Sequence, residues 1–295
     1  MPEEIVHAPA IGIIGGMGFF GFDGLDDFEE HRIETPYGDP SCTLIGGALS
    51  GRKVWFLARH GAGYSVAAHE INHRANVWAL RSLGIRWVLG VSTVGSLRDT
   101  LPPRSLILTN QFFSRMSENR SMTFFGEGII AHPEFADPTC PELDNLVRKA
   151  AELAEVPLVP EGVQVGIDGP VFSTRAEAQF YKRQGYDVVG LTPLPEARLC
   201  REAGIAYSCL GAVNAFESYR KDGGKVDVHE IGRSLNATGR QVVDVLHELV
   251  PLVPEVPEWP THQSLAGRIF TQRHLWPEEA IERLRPLLEP YLGAP

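Results

Sequence analysis

The chain has 295 residues, enough for one large α/β domain, and its 43% hydrophobic and 22% charged residues are typical of a globular protein with a sizeable core. Its formal net charge of -10, spread along the chain, argues against binding to nucleic acid or to an anionic membrane, since both need a basic surface. The acidic N-terminus, the absence of an apolar run of about 20 residues and four widely spaced cysteines predict no secretory signal, membrane span, disulfide framework or metal site. A cytoplasmic location is therefore expected.

Short apolar runs alternate with a helical stretch in the first third of the chain. Residues 11–14 predict a strand that ends at a glycine turn, and residues 53–57 predict a second strand that ends at Arg59 and His60. Residues 69–83 carry apolar side chains at helical spacing, and residues 87–91 predict a third strand.

The same alternation returns in the second half. The pattern predicts strands at 163–167, 188–191 and 207–213, helices at 174–184 and 196–203, and a long helix that begins near Asp227. Strands that alternate with helices indicate a mainly parallel or mixed sheet covered on both faces.

Two segments lie outside this alternation. Residues 109–145 are polar and rich in glycine and proline, which predicts a lid or a long surface connection. After Pro251 the chain becomes proline-rich, and residues 275–292 predict an amphipathic helix that docks on the body or on a neighbouring subunit.

Polar side chains follow several of the predicted strands, where ligands bind in open α/β sheets. Arg59 offers a planar fork that suits phosphate oxygens, and His60 offers a further donor, although a purely structural pair is an equal reading. Ser92, Thr93 and Thr192 add hydroxyl donors at two other strand ends. Together the three donor sets predict an oxyanion pocket.

Residues 168–177 form the most distinctive run, DGPVFSTRAE. Asp-Gly-Pro predicts a turn, Ser173 or Thr174 is a candidate helix cap, and Glu177 would complete a capping box. Phe172 is a candidate for stacking on a planar ring or for an ordinary core position. By contrast, the glycine turn after the first strand lacks the full dinucleotide-binding spacing.

Several motifs, in order, resemble methylthioadenosine phosphorylases and their purine nucleoside phosphorylase relatives. They are IGIIGG, TPYGDPS, ARHG, INHRANVWALRSLG, GSLRD, NQF, DGPVFSTRAEA and TPLPEARLCREAGIAY, within about residues 11–250. The resemblance implies a single-domain nucleoside-phosphorylase fold, a central mixed β-sheet flanked by helices, over residues 10–252. Residues 253–295 would then be a proline-rich linker and a C-terminal helical extension.

The resemblance also implies an activity. Such enzymes cleave the N-glycosidic bond of a purine nucleoside with inorganic phosphate as co-substrate, and release the free base and a ribose 1-phosphate derivative. They use no metal or organic cofactor and form homotrimers or dimers of trimers. A 5′-methylthioadenosine-like or otherwise 5′-modified nucleoside is the expected substrate.

By motif position, the resemblance implies roles for single residues. The phosphate would be held by Arg59, His60, Ser92, Thr93 and Thr192. The nucleoside would meet Phe172, Ser173, Leu191, which replaces a methionine near the ribose, and His132, which matches a histidine that reaches the neighbouring subunit's 5′-substituent pocket.

The chain departs from the family pattern at several of these places. Met17 replaces a hydroxyl residue in the glycine turn, and Tyr64 stands where a histidine is usual. Where two aspartates face the purine in the adenosine-specific branch, this chain has Ala215 and Glu217. We therefore expect Asn214, by a shift of one residue, or Glu217 to contact the base as the catalytic group.

These departures leave three hypotheses. The first is a phosphorylase with altered nucleoside specificity. The second is a nucleoside hydrolase or another glycosyl-transforming enzyme on the same scaffold, because Met17 thins the phosphate site. The third is a nucleoside-binding subunit that has lost catalysis.

Overall fold

The structure is a computed structural model that describes residues 10–16, 25–117, 122–220 and 228–293. Met17 and Asp227 lie outside these ranges, and so does the sequence-based expectation for each. Within them the chain forms one sheet of eleven strands with helices on both faces. The predicted fold class, a mixed β-sheet flanked by helices, is confirmed.

The described helices and strands follow the predicted alternation and add five strands and one 13-residue helix that the sequence pattern did not predict. The strands are β1 (Ile11–Gly15), β2 (Asp26–His31), β3 (Leu44–Leu49), β4 (Arg52–Ala58), β5 (Trp87–Ser96), β6 (Leu106–Leu108), β7 (Gln111–Ser114), β8 (Leu158–Val159), β9 (Val163–Gly166), β10 (Val188–Gly190) and β11 (Ala206–Phe216). The helices are α1 (His73–Ser82), α2 (Pro141–Leu153), α3 (Arg175–Arg183), α4 (Pro193–Glu202), α5 (Val228–Leu252) and α6 (Glu278–Leu292).

Strand β5 is the centre of the sheet. It runs parallel to β1 on one side and to β11 on the other, and its last residues pair with β10 in the antiparallel direction. Val189 of β10 pairs with Gly95, so β10 ends beside the second half of β5. The carboxyl ends of β1, β4, β5 and β11 and the end of β10 therefore meet in one region.

Alternating side chains of the strands build a core on each face of the sheet. In β1, Ile11 and Ile13 belong to the cluster that receives α2 and α5, whereas Ile14 belongs to the cluster that receives α1, α4 and α6. Since both faces are covered, β1 is apolar throughout instead of alternating with polar residues. This double cover leaves the strand ends as the place for polar chemistry.

The two segments outside the predicted alternation are structured in part. Residues 109–145 contain β7, which pairs with β9 at one end of the sheet, and the first residues of α2. The C-terminal segment ends in α6, whose Leu284, Leu287 and Leu288 are buried in the same core cluster as residues of α1.

The predicted capping box at the start of α3 is confirmed. The Thr174 hydroxyl accepts a hydrogen bond from the Glu177 N–H, and the Glu177 carboxylate accepts one from the Thr174 N–H. This arrangement satisfies two backbone donors and fixes where the preceding loop joins the helix. That loop carries Phe172 and Ser173.

Candidate functional site

A pocket of about 480 Å³ opens where the strand ends meet. Its lining includes polar side chains from after β4, from the second half of β5, from after β10 and from the end of β11. Of the residues singled out from the sequence, it is lined by Arg59, His60, Ser92, Thr93, Phe172, Leu191, Thr192, Asn214 and Glu217.

The Arg59 guanidinium is fully buried and bonded inside the protein. Its Nε and Nη2 donate to the carboxylate oxygens of Glu196 at 2.6 and 2.9 Å, Nη2 also donates to the Ile14 carbonyl, and Nη1 donates to the Val91 carbonyl. These bonds use four of the five N–H groups of an arginine and leave one on Nη1. The planar fork, which was expected from the sequence to face an oxyanion, faces Glu196.

Glu196 anchors a buried network around Arg59. The Tyr207 hydroxyl donates to it at 2.9 Å, and its carboxylate lies 3.9 Å from the His73 ring. Burial is the largest single influence on the pKa of Arg59 and lowers it, but the charge of Glu196 and its hydrogen bonds, with smaller contributions from Tyr207 and Cys209, together raise that pKa overall, so the cation persists. Because the pair is neutral as a whole, Arg59 gives the pocket a weaker positive potential than an unpaired arginine would.

Sequence reasoning missed Glu196. The signal was an acidic residue in the first turn of α4, a helix otherwise buried along most of its length.

His60 faces the pocket as a neutral ring. Its Nδ1 lies 2.9 Å from the Val66 carbonyl, which can only accept, so Nδ1 carries the proton and Nε2 is an acceptor. Burial and, to a smaller extent, the Arg59 charge lower its pKa to about 4. His60 therefore offers the pocket an acceptor, whereas a donor was expected from the sequence.

A hydroxyl group from β5 and one from the start of α4 come together beside these residues. The Ser92 and Thr192 hydroxyl oxygens lie 3.5 Å apart, and both residues are buried. Thr192 is the N-cap residue of α4, yet its side chain makes no capping hydrogen bond. The antiparallel pairing of β10 with β5 is what brings Thr192 next to Ser92 and Thr93.

Asn214 lies at an irregularity in β11. Val213 pairs with Val94 and Ala215 with Gly95, so Asn214 is the extra residue of a β-bulge. Such bulges redirect a side chain locally, and here Asn214 lines the pocket.

Glu217 lies at the end of the same strand and is 8% exposed. A Cβ atom on Gly95 would lie 2.2 Å from its Oε1, so the carboxyl occupies the space that this glycine leaves. Burial raises the pKa of Glu217 to about 7, although the nearby Ser218 N–H and Ser173 hydroxyl act in the opposite direction. Near neutral pH the group is therefore present in both protonation states.

The loop before α3 contributes Phe172 to the lining of the pocket. Phe172 lines the pocket while 67% exposed, and the next residue, Ser173, is buried behind it. The Ser218 hydroxyl donates to the Ser173 carbonyl at 2.7 Å, which joins this loop to the end of β11. Phe172 thus presents an aromatic face at the pocket mouth.

Tyr64 covers His60 at the edge of the pocket. Its ring centroid lies 4.4 Å from that of His60, and its backbone has a φ of 62°. A bulky residue rarely adopts this left-handed conformation, so the neighbouring structure must hold it there. Tyr64, which stands where the family pattern has a histidine, also lines the pocket.

His132 lies in a different pocket, of about 470 Å³, and its ring is in edge contact with Phe270 at 5.2 Å. The same pocket is lined by Glu202, whose carboxylate accepts a hydrogen bond from the Phe124 N–H and whose pKa burial raises to about 7. His132 does not line the strand-end pocket of its own chain.

Comparison with protein families gives a match to the model of the Phosphorylase superfamily over residues 10–250. The chain belongs to this superfamily. It is 38% identical to the S-methyl-5′-thioadenosine phosphorylase of Koribacter versatilis, with 96% of this chain and 97% of that protein covered. It is 40% identical to the enzyme of the same name from Thermosynechococcus vestitus, over 96% and 99% of the two chains.

Solved structures lead to the same group. A methylthioadenosine phosphorylase from an antarctic soil metagenomic library superposes with a TM-score of 0.89 at 35% identity, covering 96% of this chain and 99% of that one. The Schistosoma mansoni methylthioadenosine phosphorylase in complex with tubercidin has a TM-score of 0.77 at 32% identity, and the match covers 83% of this chain and 91% of that one.

At least part of the C-terminal segment is shared with these relatives. The alignment with the Koribacter versatilis enzyme spans 283 residues, more than the superfamily model matches, and so includes part of the chain after residue 250. Among the described residues, no helix is long and apolar enough to span a membrane.

Proposed function

We propose that this protein cleaves the N-glycosidic bond of a purine nucleoside, 5′-methylthioadenosine-like or otherwise 5′-modified, with inorganic phosphate. The observation that carries the proposal is the strand-end pocket, because its lining combines hydroxyl groups and an arginine with an amide, a buried carboxyl and an aromatic ring. Relatives of nearly equal length that are named S-methyl-5′-thioadenosine phosphorylases support the same reaction.

The hydroxyl groups and the arginine form the proposed phosphate site. Ser92, Thr93 and Thr192 would donate to phosphate oxygens, and Arg59 would add the N–H group that its internal bonds leave. His60, as a neutral acceptor, suits the remaining O–H of a monohydrogen phosphate or a ribose hydroxyl. Leu191 would lie against the ribose.

The amide, the carboxyl and the aromatic ring form the proposed base site. Bond cleavage through an oxocarbenium-like sugar places negative charge on the leaving purine, so a proton donor near the ring lowers the barrier. Glu217 in its neutral form would supply that proton or hydrogen bond, and Asn214 would hold a ring edge with its amide. Phe172 would stack on the purine, and Ser173 would support Glu217 from behind.

We further propose a homotrimer, or a dimer of trimers, located in the cytoplasm and working without metal or organic cofactor. The position of His132 supports an oligomer, because this residue lies away from the pocket of its own chain. In an oligomer it would reach the 5′ substituent bound by a neighbouring copy. Analytical ultracentrifugation tests the stoichiometry, and His132→Ala should raise KM for a 5′-modified nucleoside but not KM for phosphate.

A nucleoside hydrolase is the second candidate, and one observation favours it. The internal bonding of Arg59 leaves the phosphate side weaker than its residue types alone suggest. In a hydrolase, water would replace phosphate as the acceptor.

Base release from methylthioadenosine, adenosine, inosine and guanosine, followed with and without phosphate, tests the proposal. Phosphate-dependent release supports the phosphorylase, and release at the same rate without phosphate supports the hydrolase. If no nucleoside is cleaved while one still binds by calorimetry, the enzyme assignment is wrong. Arg59→Ala should raise KM for phosphate, and unchanged phosphate-dependent turnover would contradict the phosphate-site assignment.

A further inference from the structure

Three side chains converge on the exposed carboxylate of Asp99, in the turn after β5. Lys182 Nζ donates to Oδ2 at 2.6 Å, while the Tyr219 hydroxyl and the Arg220 guanidinium both donate to Oδ1, at 3.0 and 2.8 Å. These hydrogen bonds, led by the one from Lys182, hold the pKa of Asp99 well below its usual range. The carboxylate is therefore charged throughout the neutral range.

The same donors stack on aromatic rings next to the pocket. The Arg220 guanidinium lies 3.6 Å from the centroid of the Phe216 ring, and Phe216 lines the strand-end pocket. Lys182 Nζ lies 3.9 Å from the centroid of the Tyr219 ring. Asp99 therefore holds Lys182 and Arg220 in place, and these two cations in turn contact aromatic rings in residues 216–219.

Asp99 is also connected, through α3, to the loop that carries Phe172. Lys182 belongs to the last turn of α3, and the first turn of that helix follows the loop with Phe172 and Ser173. Because a helix of this length is rigid, a contact at its end constrains the loop at its start. The carboxylate lies three residues after Ser96, whose carbonyl accepts the Glu217 N–H.

We propose that Asp99, Lys182, Tyr219 and Arg220 form a clamp that sets the position of the end of β11 relative to the loop before α3, both of which contribute to the purine site. Asp99 and Arg220 are positioning residues, since they act through Phe216 and α3 and do not line the pocket themselves. That the site binds a purine rests on the proposed function, whereas the clamp itself rests only on the contacts of Asp99.

The energetics favour positioning over stability. Asp99 has a side chain that is 60% exposed, and exposed ion pairs add little to the free energy of folding. Small displacements of groups that hold a substrate, however, change binding and rate strongly. A clamp of exposed charges should also weaken with salt, because ions screen it.

The test compares Asp99→Asn with Glu282→Gln, which removes a similarly exposed partner of Arg285 far along the chain in α6. We expect Asp99→Asn to raise KM for the nucleoside about fivefold and to leave KM for phosphate unchanged, as suits the loss of an exposed ion pair. Salt at about 1 M should raise the same KM in the wild type and much less in Asp99→Asn. Glu282→Gln should behave as the wild type.

A second variant and a second measurement separate positioning from folding and from the proposed function. Arg220→Lys keeps the charge opposite Asp99 but loses the flat contact with Phe216, so its nucleoside KM should lie between those of the wild type and Asp99→Asn. Without substrate, amide exchange in peptide 214–220 should be faster in Asp99→Asn and unchanged in Glu282→Gln.

Each possible result either supports the clamp or overturns it. Equal amide exchange in Asp99→Asn and the wild type would overturn the clamp, whatever the substrate. An equal rise of the nucleoside and phosphate KM values, with a lower Tm than in Glu282→Gln, would show a merely structural role and also overturn it. If the wild type cleaves no nucleoside while peptide 214–220 exchanges faster in Asp99→Asn, the proposed function fails and the clamp stands.

Discussion

Replacement of Glu217 by glutamine is the most direct test of the base side of the pocket. Burial raises the pKa of this carboxyl from 4.5 to about 7, so about nine-tenths of the molecules carry the proton at pH 6 and about one-tenth at pH 8. If the neutral acid donates to the leaving purine, kcat falls as pH rises through 7. Glutamine keeps the shape and can donate a hydrogen bond, but it cannot transfer a proton.

We expect Glu217→Gln to lower kcat by about 10²- to 10⁴-fold, the usual contribution of a general acid, and to remove the decline above pH 7 that belongs to this group. The assay is the initial rate of base release between pH 5.5 and 9 at saturating phosphate. Since phosphate also titrates in this range, the ratio of wild-type to variant rates at each pH isolates the carboxyl. A ratio that stays constant with pH would refute the role of Glu217 as the proton donor.

The pH dependence of the rate also separates the role of Glu217 from that of Asn214. An amide does not titrate, so Asn214→Ala should lower kcat/KM without changing the shape of the pH profile. If instead Asn214→Ala abolished turnover while Glu217→Gln retained it, Asn214 would be the catalytic group that replaces the family's aspartate.

Three further predictions follow from the geometry and charge of buried positions. Gly95→Ala should displace the neighbouring carboxyl and lower kcat/KM about 100-fold, whereas Gly293→Ala, where an added Cβ meets nothing within 4 Å, should have no effect on the same steady-state assay. Glu202 has a pKa of about 7 in the fold, against 4.5 unfolded, so its contribution to stability is full below pH 4.5 and is lost as pH rises through 7. Glu202→Gln should therefore reduce the fall in the free energy of unfolding between pH 5 and 8 by roughly 3 kcal/mol in urea titrations, and an unchanged slope would contradict the buried-carboxyl argument. Thr192→Val should raise KM for phosphate roughly tenfold while leaving KM for the nucleoside unchanged, because it removes one hydroxyl from the phosphate side at similar volume; a rise confined to the nucleoside KM would reverse the assignment of the two sides.

The position of the pocket could be predicted from the sequence because strand ends converge for topological reasons. Arg59 and Thr93 each follow an apolar run, and side chains at the carboxyl ends of parallel strands gather at one edge of the sheet. Thr192 reaches the same place through β10, which runs antiparallel to β5, so that rule does not cover it. Thr174 and Glu177 could also be predicted, since a capping box depends only on local spacing.

Partners from distant parts of the chain could not be predicted. Arg59 and Glu196 are 137 positions apart in the chain, yet they form the bidentate ion pair that decides where the guanidinium points. The proton on His60 Nδ1 depends on the Val66 carbonyl, whose position follows from a turn with unusual backbone angles. No pattern of residue types gives either result.

The edge of the sheet was also beyond sequence reasoning. Strand β2 is largely exposed and strongly acidic, so it lacks the apolar pattern by which strands are recognised. Strand β7 has four residues within a polar segment and exists because β9 offers it a partner. The bulge at Asn214 depends on register with β5, which no single strand reveals.

The burial of α6 has a consequence for how the chain is made. The face of α1 that carries Val77 and Leu80 packs in the same cluster as Leu284 and Leu288, which are synthesised only after a further 200 residues or so. At about 5–20 residues per second, this face waits roughly 10–40 s for its cover during translation. If translation stops before α6, the sheet of the truncated chain can still form, but the apolar face of α1 stays exposed. We expect such truncated chains to bind chaperones that hold exposed apolar surfaces.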